Sequence, residues 1–248
     1  IVGTIIAVTA AAGMGGTGLG GLAAYLFRRG TDRTVSVLLS FAAGMMLAVG
    51  CADLLTDAIQ AGPGLSALPA ASASVLAGCG GIWLLEELVS GLQAGAKRGG
   101  LFLAGVVRAA AIALHNLPEG MVIGASYAAD LAEAGQDGRM MALVIGLHNI
   151  PEGMAVAVPL AAGGASRGRA VLTTAAAGAP TVLGAVLGFC LGTMGPGLQM
   201  LTLGGASGAM LYVVFGELLP ESFRLCRSPA PVMAAVLGVL TGMGVVLG

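Results

Sequence analysis

The stretch LHNLPEGM at residues 114–121 recurs almost unchanged as LHNIPEGM at residues 147–154. Each copy stands inside a long apolar run, and together the two copies hold the only histidines of the chain. Residues four apart on a helix share one face, so His115 lies beside Glu119, and the second copy repeats this arrangement. The motif therefore predicts two helices that each place an imidazole and a carboxylate in apolar surroundings.

The composition places these helices in a membrane. Of the 248 residues, 57% are hydrophobic and 9% are charged, and the mean hydropathy is +0.95. A helix crosses the hydrocarbon core with about 20 mainly apolar residues, and glycine, proline and short charged patches divide the chain into eight such segments. We number them spans 1 to 8: 2–27, 35–60, 70–93, 100–129, 140–163, 169–193, 199–223 and 229–248. The expected fold is an all-α, polytopic membrane protein in which residues 1–248 form a single transmembrane domain.

Charge and cysteine usage exclude other classes of protein. The net charge of −1 shows no basic surplus for nucleic acid. The four cysteines are scattered through apolar segments without paired spacing, which favours buried hydrophobic residues over a disulfide framework. Residues 1–27 are uncharged and lack the basic start of a signal peptide, so we expect them to form the first membrane helix.

The loops differ sharply in basic residues. Loops 1–2, 3–4, 5–6 and 7–8 contain Arg28, Arg29, Arg33, Lys97, Arg98, Arg167, Arg169, Arg224 and Arg227, whereas the remaining loops contain Arg139 alone. Cytoplasmic loops of membrane proteins are enriched in Lys and Arg. The pattern predicts that the first set of loops is cytoplasmic and that both termini are extracytoplasmic.

Two pairs of segments form internal repeats. The motif joins spans 4 and 5, and residues 42–58 of span 2 resemble residues 206–222 of span 7. An odd number of crossings separates the members of each pair, so they run in opposite directions. This is typical of an inverted repeat, in which substrate sites lie near the bilayer midplane on helices interrupted by glycine or proline.

The second repeat pairs acidic residues. Asp53 corresponds to Glu217, and Asp57 corresponds to Glu221. We expect Asp53 and Asp57 to guide cations inward and Glu217 and Glu221 to line an exit. The alternative for Asp57 and Glu221 is that they are solvated residues at helix ends.

The motif glutamates need a partner inside a membrane. Moving a charge to the centre of a bilayer costs at least about 2.5–3.5 kcal/mol on insertion scales, and no lysine lies within the spans. A divalent cation fits, because two neutral imidazoles and two carboxylates form a ligand set suited to Zn²⁺, Fe²⁺ or Mn²⁺. The sequence predicts a metal site between spans 4 and 5, with these ligands: His115, Glu119, His148 and Glu152.

Asparagine and proline complete the motif. Asn116 and Asn149 stand one position further round each helix and add carbonyl oxygens that could hold a second ion or a water. Pro118 and Pro151 each remove a backbone donor and kink the helix. The alternative is a kinked structural helix whose histidine and glutamate satisfy each other, but two copies in an inverted pair favour the metal site.

Taken together, these features resemble the ZIP (Zrt/Irt-like) family of divalent metal transporters, in its short bacterial form. The resemblance covers essentially the whole chain and rests on the eight spans and the paired H-N-x-P-E-G motif. It implies a transport site made by six residues: His115, Asn116, Glu119, His148, Asn149 and Glu152. It further implies that two of them, Glu119 and Glu152, bridge where two ions bind. The expected substrate is zinc, with Fe²⁺, Mn²⁺ and Cd²⁺ left open. The resemblance implies uptake into the cytoplasm across a bacterial inner membrane. It also implies an elevator-like movement of one helix bundle against another.

One position departs from the family pattern. Relatives that bind two ions tend to carry a glutamate in span 6, where APTVLGA at residues 179–185 places Thr181. A second ion would therefore lose an anionic ligand, and the sequence leaves open whether that ion binds.

Two other functions remain as alternatives. A membrane-embedded metal-dependent hydrolase could use such ligands with an open coordination position to activate water, but neither HExxH nor the Glu-x-x-His of di-iron bundles is present. A receptor or assembly subunit with a structural metal would not explain acidic residues on several spans. The expected partners are divalent metal ions and the lipid bilayer, while homodimerisation and proton coupling stay open.

Overall fold

Eight helical segments of the computed structural model are long and apolar enough to cross a membrane. The structure describes residues 1–26, 32–62, 64, 67–98, 100–133 and 137–247, and its regular structure within them is helical. In chain order the segments are Val2–Tyr25, Asp32–Ala61, Ala67–Leu85, Gly105–Leu131, Gly138–Ala161, Arg167–Thr193, Pro196–Leu225 and Pro229–Val246. They correspond one to one to spans 1–8, so the predicted all-α polytopic fold is confirmed. Two arginines counted in loop 1–2, Arg28 and Arg29, lie outside the described residues.

Some spans are single helices and others are built from pieces. The α-helices are Val2–Ala10, Gly16–Leu26, Asp32–Ala48, Leu55–Ala61, Ala67–Arg98, Gly100–Glu133, Asp137–Ala162, Arg167–Ala177, Pro180–Thr193, Pro196–Val213, Leu219–Leu225 and Pro229–Leu247. The helix of span 3 is longer than the predicted 70–93. Span 6 breaks at Gly178 and Ala179, and Pro180 restarts the helix in its first turn, where a missing N–H leaves no hydrogen bond unmade.

Short π-helical stretches interrupt spans 1, 2 and 7. Span 1 contains Ala11–Gly15, span 2 contains Val49–Leu54 and span 7 contains Val214–Leu218. The stretches in spans 2 and 7 enclose Asp53 and Glu217, the residues that the sequence repeat pairs with each other. Single π turns are often found at functional sites. The repeat predicted between spans 2 and 7 therefore extends to the local backbone.

Glycine contacts join spans 1, 4, 5 and 6, which we call the site bundle. A Cβ atom added at Gly120 of span 4 would overlap the carbonyl oxygen of Thr181 in span 6. A Cβ atom added at Gly153 of span 5 would overlap the carbonyl oxygen of Thr17 in span 1. Small residues at such positions let helix backbones approach closely. The glycine of each motif therefore fixes its helix against one neighbour.

Spans 2, 3, 7 and 8 pack in the same manner, and we call them the support bundle. Gly44 of span 2 lies against the carbonyl oxygen of Ala235 in span 8, and Gly208 of span 7 lies against that of Val75 in span 3. The first contact joins span 2 to span 8, and the second joins span 7 to span 3. A repeat that relates span 2 to span 7 and span 3 to span 8 therefore converts one contact into the other. Exchanging spans 4 and 5 together with spans 1 and 6 does the same in the site bundle. The close contacts thus agree with the predicted pairing of span 2 with span 7 and of span 4 with span 5, and they add the pairs 3 with 8 and 1 with 6.

Candidate metal centre

Spans 4 and 5 carry the motif within continuous helices. Pro118 lies inside the helix Gly100–Glu133, and Pro151 lies inside the helix Asp137–Ala162. A proline within a helix removes one backbone hydrogen bond and clashes with the carbonyl four residues earlier. Both motif helices therefore have a local break in their backbone bonding at the level of the ionisable side chains.

Three motif side chains meet between these helices. The nitrogen and oxygen atoms that Glu119, His148 and Glu152 could offer a metal lie within 4.8 Å of one another. Nε2 of His148 is 2.9 Å from Oε1 of Glu119 and 3.6 Å from Oε1 of Glu152. All three residues are buried, with exposed fractions of 1%, 2% and 1%. We call these three residues the central cluster.

The carboxylates of the central cluster are incompletely bonded. Oε2 of Glu119 and both oxygens of Glu152 are buried without a hydrogen-bond partner. Burying a carboxylate is costly unless it is paired or coordinates a metal. One imidazole beside two carboxylates supplies too little compensation, and a divalent cation bound to one nitrogen and to carboxylate oxygens would supply it. The donor set therefore fits a metal ion better than mutual satisfaction of histidine and glutamate.

His115 has a different partner from the one that the sequence predicts. Its Nε2 lies 2.9 Å from Oε1 of Glu217 in span 7, and His115 is outside the central cluster. His115 is 3% exposed, whereas the side chain of Glu217 is 32% exposed. The expected meeting of both histidines at one point is therefore not present in this conformation, and His115 instead joins the site bundle to the support bundle.

The two motif asparagines make corresponding bonds with their amide nitrogens. Nδ2 of Asn116 donates to the Ala177 carbonyl of span 6 at 3.1 Å. Nδ2 of Asn149 donates to the Ala12 carbonyl of span 1 at 3.2 Å. Both carbonyls stand where their helices are interrupted, at the end of one piece of span 6 and in the π stretch of span 1. The irregular backbone of spans 1 and 6 thus orients the motif.

The amide oxygens of the asparagines differ. Oδ1 of Asn116 accepts a hydrogen bond of 3.1 Å from the Thr181 hydroxyl, whereas Oδ1 of Asn149 is buried without a hydrogen-bond partner. The Asn149 side chain also lies beside the carboxylate of Glu119. The sequence predicts equal positions for the two asparagines and contains no indication of the Thr181 contact, because that contact depends on which helix packs against span 4.

The four predicted pathway acids lie outside the central cluster. Asp53 and Asp57 are partly buried in span 2. Glu221 pairs with Arg108 of span 4 at 3.1 Å and with Arg224 of its own helix. Glu221 is therefore held in a network of arginines that bridges span 4 and span 7, rather than being a freely solvated residue at a helix end.

Comparisons with known proteins find similar chains among zinc transporters. The family model described as ZIP Zinc transporter matches residues 92–248. The chain is 35% identical to zinc transporter ZIPB of Bordetella bronchiseptica, over 96% of this chain and 77% of that protein. It is 32% identical to zinc transporter ZupT of Chlorobium limicola, over 97% and 94% of the two chains. It is 31% identical to zinc transporter ZupT of Corynebacterium efficiens, over 92% and 90%.

Proposed function

Because this chain belongs to the ZIP zinc transporter family, we propose that it moves Zn²⁺ across a membrane and binds the ion at the central cluster. Family membership makes the chain a divalent metal transporter and not an enzyme, and it leaves the alternative of a membrane-embedded hydrolase without support. The observation that carries the site is the set of buried carboxylate oxygens without partners beside the His148 imidazole. Residues 1–248 act together as one transporter domain in this proposal.

The proposed transport site consists of the six motif residues. They are His115, Asn116, Glu119, His148, Asn149 and Glu152. Glu119, His148 and Glu152 bind the ion directly, since their ligand atoms already lie close together. His115 lies one helical turn before Glu119, and its imidazole contacts the ion as the ion passes toward Glu217.

Zinc is the proposed substrate because imidazole nitrogen and carboxylate oxygen are among its ordinary ligands. The relatives named above are zinc transporters, which supports the same choice. Fe²⁺, Mn²⁺ and Cd²⁺ could use this ligand set, and competition with radioactive zinc would rank them. The expected order places excess Mn²⁺ as the weakest of these competitors, because affinity for such sites generally rises from manganese to zinc.

The proposed route uses the acidic residues of the support bundle. Asp53 and Asp57 guide the ion to the central cluster, and Glu217 and Glu221 line its exit toward the cytoplasm. The two bundles support an elevator-like movement, because close glycine contacts lie within each bundle, whereas an ion pair and a histidine–carboxylate contact join span 4 to span 7. The exit acids stand near the loop that the basic residues predict to be cytoplasmic.

The proposed location is a bacterial inner membrane, with lipid around the outer surface. Large apolar side chains that are more than half exposed support a surface that faces lipid, among them Leu76, Trp83, Leu183 and Leu240. Homodimerisation is not needed for the proposed site, because its ligands come from one chain.

Radioactive zinc uptake into sealed proteoliposomes tests the function. The wild-type chain should accumulate zinc, and Glu119→Gln, which keeps the side-chain shape but removes the charge, should reduce uptake to background. Asp32→Asn is the matched control, because Asp32 is an exposed carboxylate at the start of span 2. Uptake by Glu119→Gln at the control's rate would contradict the proposed site.

Labelling of single cysteines tests the proposed orientation. In a chain whose native cysteines are replaced by alanine, Ser228→Cys reports loop 7–8 and Met194→Cys reports the connection between spans 6 and 7. Both residues are exposed. An impermeant maleimide applied to intact cells should label Met194→Cys and leave Ser228→Cys unlabelled until the membrane is opened. The reverse pattern would place both termini in the cytoplasm.

A further inference from the structure

The two motif asparagines occupy equivalent positions in the inverted repeat, but their amide oxygens are bonded differently. Asn116 and Asn149 are both 0% exposed. Oδ1 of Asn116 accepts from the Thr181 hydroxyl at 3.1 Å, while Oδ1 of Asn149 has no hydrogen-bond partner. A buried amide oxygen without a partner is costly, so the open oxygen of Asn149 indicates a ligand that is not a protein donor.

The difference arises from two threonines, one in span 6 and one in span 1, that occupy equivalent positions in the inverted repeat. Thr181 of span 6 and Thr17 of span 1 correspond, since each presents its carbonyl oxygen to a motif glycine, Gly120 or Gly153. The hydroxyl of Thr17 donates to the Gly13 carbonyl of its own helix at 2.8 Å, whereas the hydroxyl of Thr181 crosses to span 4. Thr17 therefore bonds to the backbone of its own helix, whereas Thr181 bonds to a motif asparagine.

The amide of Asn116 is fully engaged. Its Nδ2 donates to the carbonyls of Ile112 at 3.0 Å and Ala177 at 3.1 Å, and its Oδ1 accepts from Thr181. The backbone at Gly13 packs so closely on Thr181 that an added Cβ atom would overlap the hydroxyl. Turning Asn116 toward a metal would therefore leave buried donors and acceptors unpaired.

We propose that the centre binds one metal ion, and that Thr181 is the positioning residue that sets this number by holding the Asn116 oxygen away from the ion. Asn149 then supplies the only amide ligand of the motif, beside Glu119. This inference rests on the proposed function, because it presupposes that the central cluster binds the transported metal.

The unpartnered carboxylate oxygens of the central cluster explain why the Thr181 hydroxyl can decide how many metal ions bind. Oε2 of Glu119 and both oxygens of Glu152 have no hydrogen-bond partner, so the carboxylates could bridge two ions. A second ion would still need a further oxygen close to Glu119, and Asn116, three residues earlier on the same helix, is the nearest amide along the chain. With that oxygen bound to Thr181, the first ion alone uses the carboxylates.

The experiment counts zinc ions bound to the purified full-length chain by equilibrium dialysis, with zinc as the probe. Wild type should bind one ion. Thr181→Val keeps the shape of the side chain but removes the hydroxyl, so it should add a second, weaker binding event. Thr181→Ser restores a hydroxyl and should return the count to one, and the double variant Thr181→Val with Asn116→Ala should also bind one.

Two results would overturn the inference while leaving the proposed function intact. They are two ions of similar affinity in wild type, and an unchanged count of one in Thr181→Val. A wild-type chain that binds no zinc, or whose binding is unaffected by Glu119→Gln, would instead refute the proposed function and this inference with it.

A second measurement keeps the inference testable if Thr181→Val does not fold. Asn149→Ala should weaken zinc binding by about tenfold or more, as is common for residues that support a metal site. Asn116→Ala should weaken zinc binding less than Asn149→Ala does, because the Asn116 amide bonds to protein groups in this proposal. Equal losses of affinity in these two matched variants would overturn the distinct roles of the asparagines.

Discussion

Span 4 and span 5 carry motifs that differ at one position in eight, Leu117 against Ile150. The imidazole of His148 nevertheless joins the central cluster, whereas that of His115 contacts Glu217. Both helices contain a proline in the motif and are held by a glycine, so local sequence does not account for the difference. The neighbours do, because span 4 packs against the helix Pro196–Val213 of span 7 and its His115 reaches Glu217 just beyond that helix. Equal motifs in an inverted repeat can thus perform unequal tasks within one conformation.

The largest expected effect separates the two histidines. His148→Ala removes the only imidazole of the central cluster, and we expect zinc affinity to fall by more than about 100-fold, beyond the usual loss for an outer residue of a metal site. His115→Ala should lower affinity by about tenfold or less, since its nitrogen lies at Glu217. Isothermal titration of the purified variants measures both. Equal losses would show that the two motifs contribute equally when the ion is bound.

The pH dependence sharpens the same comparison. A proton and a metal ion compete for an imidazole nitrogen and for a carboxylate, so wild-type affinity should be lower at pH 5 than at pH 7.5. His148→Ala should flatten this slope more than His115→Ala does. Wild-type titrations with the same affinity at both pH values would contradict the assignment of His148 as a ligand.

The next effect tests where the two motifs are alike. Gly120→Ala and Gly153→Ala each place a methyl group against a backbone carbonyl, of Thr181 and of Thr17. Because the obstacle is backbone, neither helix can accommodate it by a rotamer change, and we expect each variant to lose about 1–3 kcal/mol of stability. Thermal unfolding in detergent measures the loss. Gly80→Ala is the control, because nothing lies within 4 Å of its added Cβ atom.

Much of the architecture could be predicted from sequence because it depends on local properties. The length of the apolar runs, and the glycine, proline and charged residues between them, define the spans. The positions of Glu119 and Glu152 within the repeated motif predict their convergence. The π stretches, the break of span 6 and the partners of His115 and Asn116 could not be predicted in this way. Each depends on which helix lies next to which, and a single chain's composition contains no direct record of that.

Glu217 should have an effect on the balance between conformations. In the described state it pairs with His115, so Glu217→Gln weakens one link between the site bundle and the support bundle. Its counterpart in the repeat is Asp53, and an inverted repeat exchanges the roles of its halves when access alternates. We therefore expect Glu217→Gln and Asp53→Asn to shift the population of inward- and outward-open states in opposite directions. Distances between spin labels on the two bundles measure this, and shifts in the same direction would contradict it.

The smallest effect concerns the ion pair between Arg108 and Glu221. Glu221 binds Arg108 of the site bundle and Arg224 of its own helix, so the two arginines form a matched pair around one carboxylate. The paired side chains of Arg108 and Glu221 are 35% and 20% exposed, and such partly solvated pairs contribute about 0.2–1 kcal/mol.

If the bundles slide past each other, the Arg108 pair must separate and the Arg224 pair need not. Arg108→Ala should therefore raise the initial rate of zinc uptake by about two- to fivefold without changing zinc affinity, whereas Arg224→Ala should leave both unchanged. Stopped-flow uptake with a zinc-sensitive dye inside proteoliposomes measures the rates, and an equal acceleration by both variants would show that net charge at Glu221, rather than a link between the bundles, controls the rate.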